Sequence, residues 1–380
     1  MTAGEVEGAV DRTRAADPAL RALIEQVRAA RADGTPLDIR GGGTKAWYGE
    51  APQGAPLDVT GLRGISSYEP TELVVTVRAG TPLAELEAAL AEKGQCLPFE
   101  PPRFAEVGTV GGTVGGMVAA GLAGPARAAV GGVRDYVLGA TLLNGRAELL
   151  SFGGQVMKNV AGYDVSRALA GSLGTLGVIC EVSLKVLPVP PATLTLRLQA
   201  DQASAIGRLN EWGGQPLALN ASAWWDGMLV LRLSGAAAAV RSAQDKIGGE
   251  VVDPVLAASF WTGLRDHRDE FFIGAARAVD GGAALWRLSV PPTTAPLKLP
   301  GEQLLEWGGA QRWICTGMPA GVLREAARAA GGHAVLFRGH DKSAGAFAPL
   351  APAVARIQRE LQRAFDPDGL FNPGRLWPVA

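Results

Sequence analysis

Alternation and spacing of apolar positions divide the chain into short elements of two kinds. Strand-like alternation is clearest over Val178–Leu187, where Val182, Leu184 and Val186 interleave with Glu181, Ser183 and Lys185. The same reading predicts strands at 37–40, 57–59, 72–78, 136–143, 146–152, 193–199, 217–225, 228–233, 284–290 and 333–338, and another short stretch at 312–315. Helical spacing places Leu20, Leu23, Ile24 and Val27 on one face, and Val354, Ile357, Leu361 and Phe365 on another. Asp17-Pro18 supplies an N-cap and a first-turn proline, and Gly34 a stop. Further helices are predicted after Thr81-Pro82, from Asp164, and near 202–212, 236–247, 254–268, 322–330 and 352–365. Asn144-Gly145 carries the signature of a two-residue type I′ hairpin, and Asp226-Gly227 that of a second hairpin.

Four regions follow. Residues 1–16 read as a loose lead-in. Residues 17–190 form a first domain, closed by the stiff Pro188-Val189-Pro190-Pro191. Residues 191–348 form a smaller α+β domain, with an antiparallel sheet and helices on one face. Residues 349–380 are a last helix and a docked tail. The class is α+β.

One stretch breaks the pattern. Val107–Ala126, VGTVGGTVGGMVAAGLAGPA, holds seven glycines and no charge. Its length suits a membrane helix, but few of its side chains are large, and glycine costs about 1 kcal/mol per helical position. A loop that closes over a diphosphate is the better reading, because glycine permits left-handed backbone and close approach of a ligand. A second cluster, Gly41-Gly42-Gly43-Thr44-Lys45, ends the strand 37–40. Either could be a plain turn. Neither matches a strict G-x-G-x-x-G or a P-loop.

Composition narrows the function. Net charge is −1 and hydrophobic residues make up 47%, so there is no basic surplus for nucleic acid and enough apolar material for a large core. Cys96, Cys180 and Cys315 are far apart, and His267, His333 and His340 are the only histidines, which excludes a C-x-x-C cluster site and argues against a histidine-rich metal site. The N-terminal segment lacks the apolar core of a signal peptide, so a reduced, cytoplasmic setting is expected.

The ordered motifs RGGGTK (Arg40–Lys45), TVGGTVGG (Thr109–Gly116), GP-x-R (Gly124–Arg127), RDYVLG (Arg134–Gly139), GYD (Gly162–Asp164), GSLGTLGVICE (Gly171–Glu181) and the closing DPDGLFNPGR resemble the FAD-linked oxidases. These bind flavin through a domain like that of p-cresol methylhydroxylase (PCMH) and vanillyl-alcohol oxidase. MKNVAGYD (Met157–Asp164), GEQLLEWGGAQRW (Gly301–Trp313) and GGHA (Gly331–Ala334) narrow the resemblance to the FAD-binding subunits of bacterial glycolate oxidases. The resemblance implies a PCMH-type FAD domain of two subdomains, a smaller cap domain, and a tail that returns to the flavin. It implies FAD as cofactor. No histidine or cysteine lies in either glycine loop, so the link is expected to be non-covalent.

Carried over by position, Arg40, Gly41, Gly42, Gly43, Thr44 and Lys45 would meet the pyrophosphate from one side. Thr109, Gly111, Gly112, Thr113 and Gly116 would meet it from the other. Val178 and Ile179 would offer backbone to the adenine, and Asn372 would lie near the flavin end. Gly124 and Asp135 join the set, although Asp135 with Arg134 reads equally as a loop-holding pair. For the substrate, Arg287, Arg338 and His333 are the candidates: arginine to clamp a carboxylate and histidine as base. Arg287 either alternates outward on its strand or, pointing inward, needs a buried partner.

The resemblance implies a second flavin subunit and an iron–sulfur subunit as partners, a small 2-hydroxy acid as substrate, and a peripheral place at the inner membrane through those partners. The cap stretch His333–Asp341 does not match the H-x-G-D-G-N segment of relatives that oxidise 2-hydroxy acids. Three functions therefore stay open: a glycolate oxidase subunit, a self-sufficient hydroxy-acid or alcohol dehydrogenase, and a non-catalytic FAD relay.

Overall fold

The computed structural model describes residues 17–104, 111–154 and 163–377. The lead-in 1–16, Thr109 and most of the MKNVAGYD motif lie outside the described residues.

Two antiparallel sheets organise the chain. The first has five strands in the order Ile65–Glu69, Val74–Arg78, Val178–Lys185, Val137–Leu143, Leu149–Gly153. Val178–Lys185 is central because it is apolar on both faces, with only Glu181 and Lys185 half-buried. Helices Leu83–Ala91 and Val114–Ala120 cover this sheet and fill a core with Val75, Val77, Phe99 and Leu142. A separate parallel pair, Leu37–Arg40 with Ala55–Asp58, is packed under helix Pro18–Asp33. Asp17 caps that helix, as expected, by accepting from the Ala19 and Leu20 amides.

The second sheet has eight strands, in the order Glu250–Val251, Ala192–Gln199, Met228–Gly235, Leu219–Trp225, Gln303–Glu306, Gln311–Thr316, Ala284–Ser289, His333–Arg338. Asp226 and Gly227 both take positive φ, as the tight hairpin requires. Helices lie on both faces rather than one. Gln202–Gly213, Ala237–Ile247 and Ala320–Ala329 pack on the outer face. Pro254–Asp266 and Glu270–Asp280 pack on the inner face, together with Tyr48, Ala120, Leu122 and Leu173 of the first half. The helix Glu270–Asp280 is an addition to the sequence reading, and its stripe of Phe271, Phe272, Ala275 and Val279 is what seats it there.

Three further expectations need correction. Part of the glycine-rich stretch is not loop: Val114–Ala120 is a seven-residue helix, with Thr113 as N-cap and Gly121 as left-handed stop. Asn144-Gly145 does not make a two-residue turn. The connection runs 144–148, Ala147 takes the positive φ, and the Asn144 carboxamide oxygen accepts from the Arg146 and Glu148 amides. Gly145 is small for another reason: an added Cβ would stand 2.4 Å from an Asp366 carboxylate oxygen, where the tail crosses. The pair Thr81-Pro82, expected to cap the next helix, gives it no side-chain cap; the Thr81 hydroxyl exchanges hydrogen bonds with the Gly64 backbone.

The last helix, Pro352–Phe365, lies where its spacing predicts. The tail beyond it crosses back to the first half. Phe371 bridges Leu37, and the Asn372 side chain accepts from the Ile39 amide at 2.7 Å and donates to the Leu173 carbonyl at 2.6 Å.

Candidate functional site

The two glycine clusters meet. A Cβ on Gly42 would lie 2.3 Å from the Gly111 carbonyl oxygen, and one on Gly41 would lie 2.3 Å from the Thr113 hydroxyl oxygen. Glycine at 42 lets two backbones approach closely, and glycine at 41 leaves room for the Thr113 side chain. A Cβ on Gly112 would lie 3.1 Å from the Thr44 hydroxyl and 3.2 Å from the Lys45 ammonium, a looser contact with side-chain ends. The contact is set up by two strand ends. The strand Leu37–Arg40 delivers residues 41–45, and a bridge between Pro82 and Thr113 fixes the far side.

Between the clusters opens a cavity of about 420 Å³. Residues 38–46 wall one side, Gly112, Thr113, Gly115, Gly116, Ala119 and Ala120 the other, and Gly174, Gly177, Ile179, Asn372 and Arg375 close it. Among the described residues, the amides of Gly41, Gly42, Gly43, Thr44 and Lys45 find no acceptor. Unpartnered successive amides are the donors that an anion nest requires. Lys45 adds a conditional charge there. Burial lowers its ammonium to about 8, so it stays largely cationic at neutral pH, and an arriving anion would hold that charge to higher pH. Free amides, a cation and glycine-only walls suit a dinucleotide diphosphate.

Not every expected residue reaches this cavity. Arg40 lines it and pairs with Asp38 at 2.5 Å. Val178 is fully buried in the core below, whereas Ile179 lines the wall. Asp135 does not line the cavity: one oxygen accepts from the Gly132 amide and the other from Arg167. Gly124 lies against Glu100 and accepts from the Trp307 indole at 3.1 Å, away from the nest.

The three cap candidates share one face of the eight-stranded sheet. Arg287 pairs with Val335 and Ser289 with His333, so Arg287 and His333 are one register step apart on the same side. A bulge at Leu285/Trp286 brings Arg338 opposite Leu285, onto that side as well. This is the inner face, so Arg287 does not point outward. It donates to the Tyr48 hydroxyl at 3.1 Å. The Arg338 guanidinium lies 3.8 Å over the Trp47 ring. Neither arginine has a carboxylate partner among the described residues. Two unpaired cations walled by Trp47, Tyr48, Phe104 and Phe337 make an anion-seeking region. His333 is exposed at the strand start.

Sequence reading missed two groups beside Arg287. His267 is half-buried with its Nδ1 shielded from solvent, stacked on Phe272 at 3.6 Å, and desolvation first, then Arg338 and Arg287, lowers it well below the ordinary imidazole range. Glu306 is 4% exposed and accepts from Trp313 Nε1 at 2.6 Å and Gln311 Nε2 at 2.9 Å. Both line a small cavity with Arg287. His267 belongs to no motif. Glu306 belongs to GEQLLEWGGAQRW, where an acid inside an apolar run was the available signal.

Two glycine turns closed on one cleft, on a two-sheet α+β body, define a flavin-dinucleotide protein of the FAD-linked oxidase class. Residues 20–153 match the FAD binding domain family. The chain is 46% identical over 357 residues to glycolate oxidase subunit GlcE of Escherichia coli (strain K12), covering 94% of this chain and 97% of that protein. It belongs to the GlcE family of FAD-linked oxidases, and FAD is its cofactor. More distant relatives match in part. Glycolate oxidase subunit GlcD of Bacillus subtilis (strain 168) is 32% identical over 42% of this chain and 34% of its own length. A D-lactate dehydrogenase of Anaerostipes hadrus is 33% identical over 38% and 29%. Among solved structures, an alkyldihydroxyacetonephosphate synthase superposes with a TM-score of 0.63 at 14% identity, over 92% of this chain and 74% of that one, which shows the fold.

Proposed function

We propose that this chain is the FAD-binding subunit of a glycolate oxidase complex, which takes glycolate to glyoxylate and passes electrons to an iron–sulfur subunit. The near full-length match to GlcE supports the assembly. The observation that carries the site is the contact of residues 41–45 with 111–116 around one cavity; Trp47 and Tyr48, which follow in the chain, meet Arg338 and Arg287. Gly41–Lys45 would hold the diphosphate, with Gly112, Thr113 and Gly116 opposite and Asn372 at the closing wall.

When bound, FAD supplies the hydride acceptor. The chain supplies the rest. Arg287 and Arg338 hold the carboxylate of the hydroxy acid, and Tyr48 fixes the Arg287 guanidinium. Trp47, Phe104 and Phe337 exclude water and strengthen both charges. A second flavin subunit, and a peripheral position at the membrane through partners, are part of the same reading. Among the described residues, no helix is long and apolar enough to cross a membrane.

A second reading, a relay that holds FAD but never meets substrate, is favoured by one fact. The space beside Arg287 is about 20 Å³, room for one water and less than a hydroxy acid. Purified complexes carrying Arg287→Ala and Arg338→Ala distinguish the two. Loss of glycolate oxidation with FAD content retained supports oxidation here. Full activity supports the relay.

A further inference from the structure

We propose that Glu306 is the proton-accepting end of the substrate site, reached from Arg287 through the small cavity that His267 and Gln311 also line. The inference rests on the reading of the Arg287–Arg338 region as the place of the hydroxy acid.

Four observations carry it. First, Glu306 is buried without a cation in ion-pair contact among the described residues. Its partners, Trp313 Nε1 and Gln311 Nε2, are neutral donors, and both meet the same oxygen, Oε2. A lone buried carboxylate is costly, and proteins retain one where it is used or protonated. Second, three polar atoms around the cavity lack partners among the described residues: Arg287 Nε, His267 Nδ1 and Gln311 Oε1. Buried polar atoms of this kind are usually bridged by an ordered water. The cavity, about 20 Å³, has room for one. Third, the register ties the parts together. Trp313 is the direct cross-strand partner of Arg287, and Gln311 that of Ser289. The donors to Glu306 thus stand on the same sheet face as the arginine, one register step apart.

Fourth, Gln311 can serve both protonation states. As placed, its amide nitrogen donates to a carboxylate, and its oxygen is unpartnered. A half-turn of the amide would let the oxygen accept from a protonated Glu306. Burial raises the Glu306 carboxyl to about 7, against the two hydrogen bonds that lower it; Asp269 and Glu100 raise it further. The other charged or titratable groups on the cavity are Arg287, Arg265 and His267. The group therefore exchanges a proton near neutral pH.

The step balances simply. The substrate O–H bond would break, with its proton passing through a water in that cavity to a Glu306 oxygen; bound FAD would supply the acceptor for the α-hydrogen as hydride, which balances formation of the C=O bond. Glu306 acts through the water and is a positioning and proton-holding residue.

The test compares wild type, Glu306→Gln and Glu306→Asp in the purified FAD-loaded oxidase. Infrared difference spectra titrated from pH 5 to 9 should show a protonated-carboxyl band with a midpoint near 7, absent in Glu306→Gln. The Gln variant should lose about 100-fold or more in kcat with KM within about twofold, and its pH profile should lose the neutral limb. Glu306→Asp should recover part of kcat. A Gln variant that turns over at the wild-type rate with the wild-type pH profile overturns the proposal and leaves the assigned function intact. A wild-type complex that holds FAD but never oxidises glycolate overturns both. Should the Gln variant fail to fold, the wild-type titration decides: no carboxyl band with a midpoint between 6 and 8 overturns the proposal.

Discussion

Lys45 is the residue whose chemistry most directly couples pH to cofactor. With its ammonium lowered to about 8 by burial, an anionic ligand raises it again, so binding takes up a proton. FAD affinity of the apoprotein, followed by flavin fluorescence, should fall as pH rises through about 8. Lys45→Met should bind about 10-fold more weakly at pH 7 and lose that pH dependence, in keeping with roughly 1.5–3 kcal/mol for a charge-assisted contact. Glu306 is shifted the opposite way. Its carboxyl, raised to about 7 in the folded chain against an ordinary 4.5, favours the fold fully below pH 4.5, and that contribution is lost as pH rises through 7. Urea midpoints should therefore fall between pH 5 and 8 in wild type and fall less in Glu306→Gln. Neither effect could be read from the sequence, because both come from burial. Lys45 was legible as a phosphate-loop lysine, but nothing in Leu264-Arg265-Asp266-His267 signals a histidine stacked in an aromatic core.

At the scale of elements, periodicity reported well where apolar positions were dense. Val178–Lys185, the hairpin at Asp226-Gly227 and helix Pro352–Phe365 follow their spacing closely. Ile65–Glu69 and Gln303–Glu306 were not legible as strands. ISSYE carries too little apolar signal, and QLLE is too short, so pairing with Val74–Arg78 and Gln311–Thr316 decides them. The Asn144-Gly145 turn misled because its glycine is reserved for the crossing tail. That tail is held by Asn372, whose side chain satisfies one amide and one carbonyl of the cofactor walls. Asn372→Ala leaves both unpaired in a buried setting and should cost roughly 2–4 kcal/mol in urea unfolding, with weaker FAD retention on gel filtration. Gly42→Ala acts on the other wall. Its methyl would collide with the Gly111 carbonyl, so FAD binding should drop at least about 10-fold with the far-ultraviolet circular dichroism unchanged.

On the scale of the whole molecule, we propose that residues 17–190 and 349–377 form the flavin-binding body and residues 191–348 the cap. The chain passes between the sheets at 189–191 and back beyond 338. What joins the halves is polar as well as aromatic. Arg232 pairs with Glu100 at 2.7 Å, Arg287 donates to Tyr48, and Lys342 donates to the Trp47 and Gly49 carbonyls. The Arg232–Glu100 pair is mostly shielded from water, so Arg232→Met leaves Glu100 uncompensated. Its expected effect is a loss of about 3 kcal/mol in stability and a cap that proteases remove more readily near 189–191. Sequence alone suggested the proline linker but not this seam, since ion pairs between residues 132 positions apart leave no local pattern.

The central claim is that one diphosphate is gripped by two glycine turns distant in sequence. A crystal structure of the FAD-loaded chain tests it most directly. Diphosphate density within hydrogen-bonding reach of the Gly41–Lys45 amides, with Gly111–Gly116 opposite, is the expected result. Flavin density elsewhere on the molecule, or a chain that takes up no FAD, would contradict it.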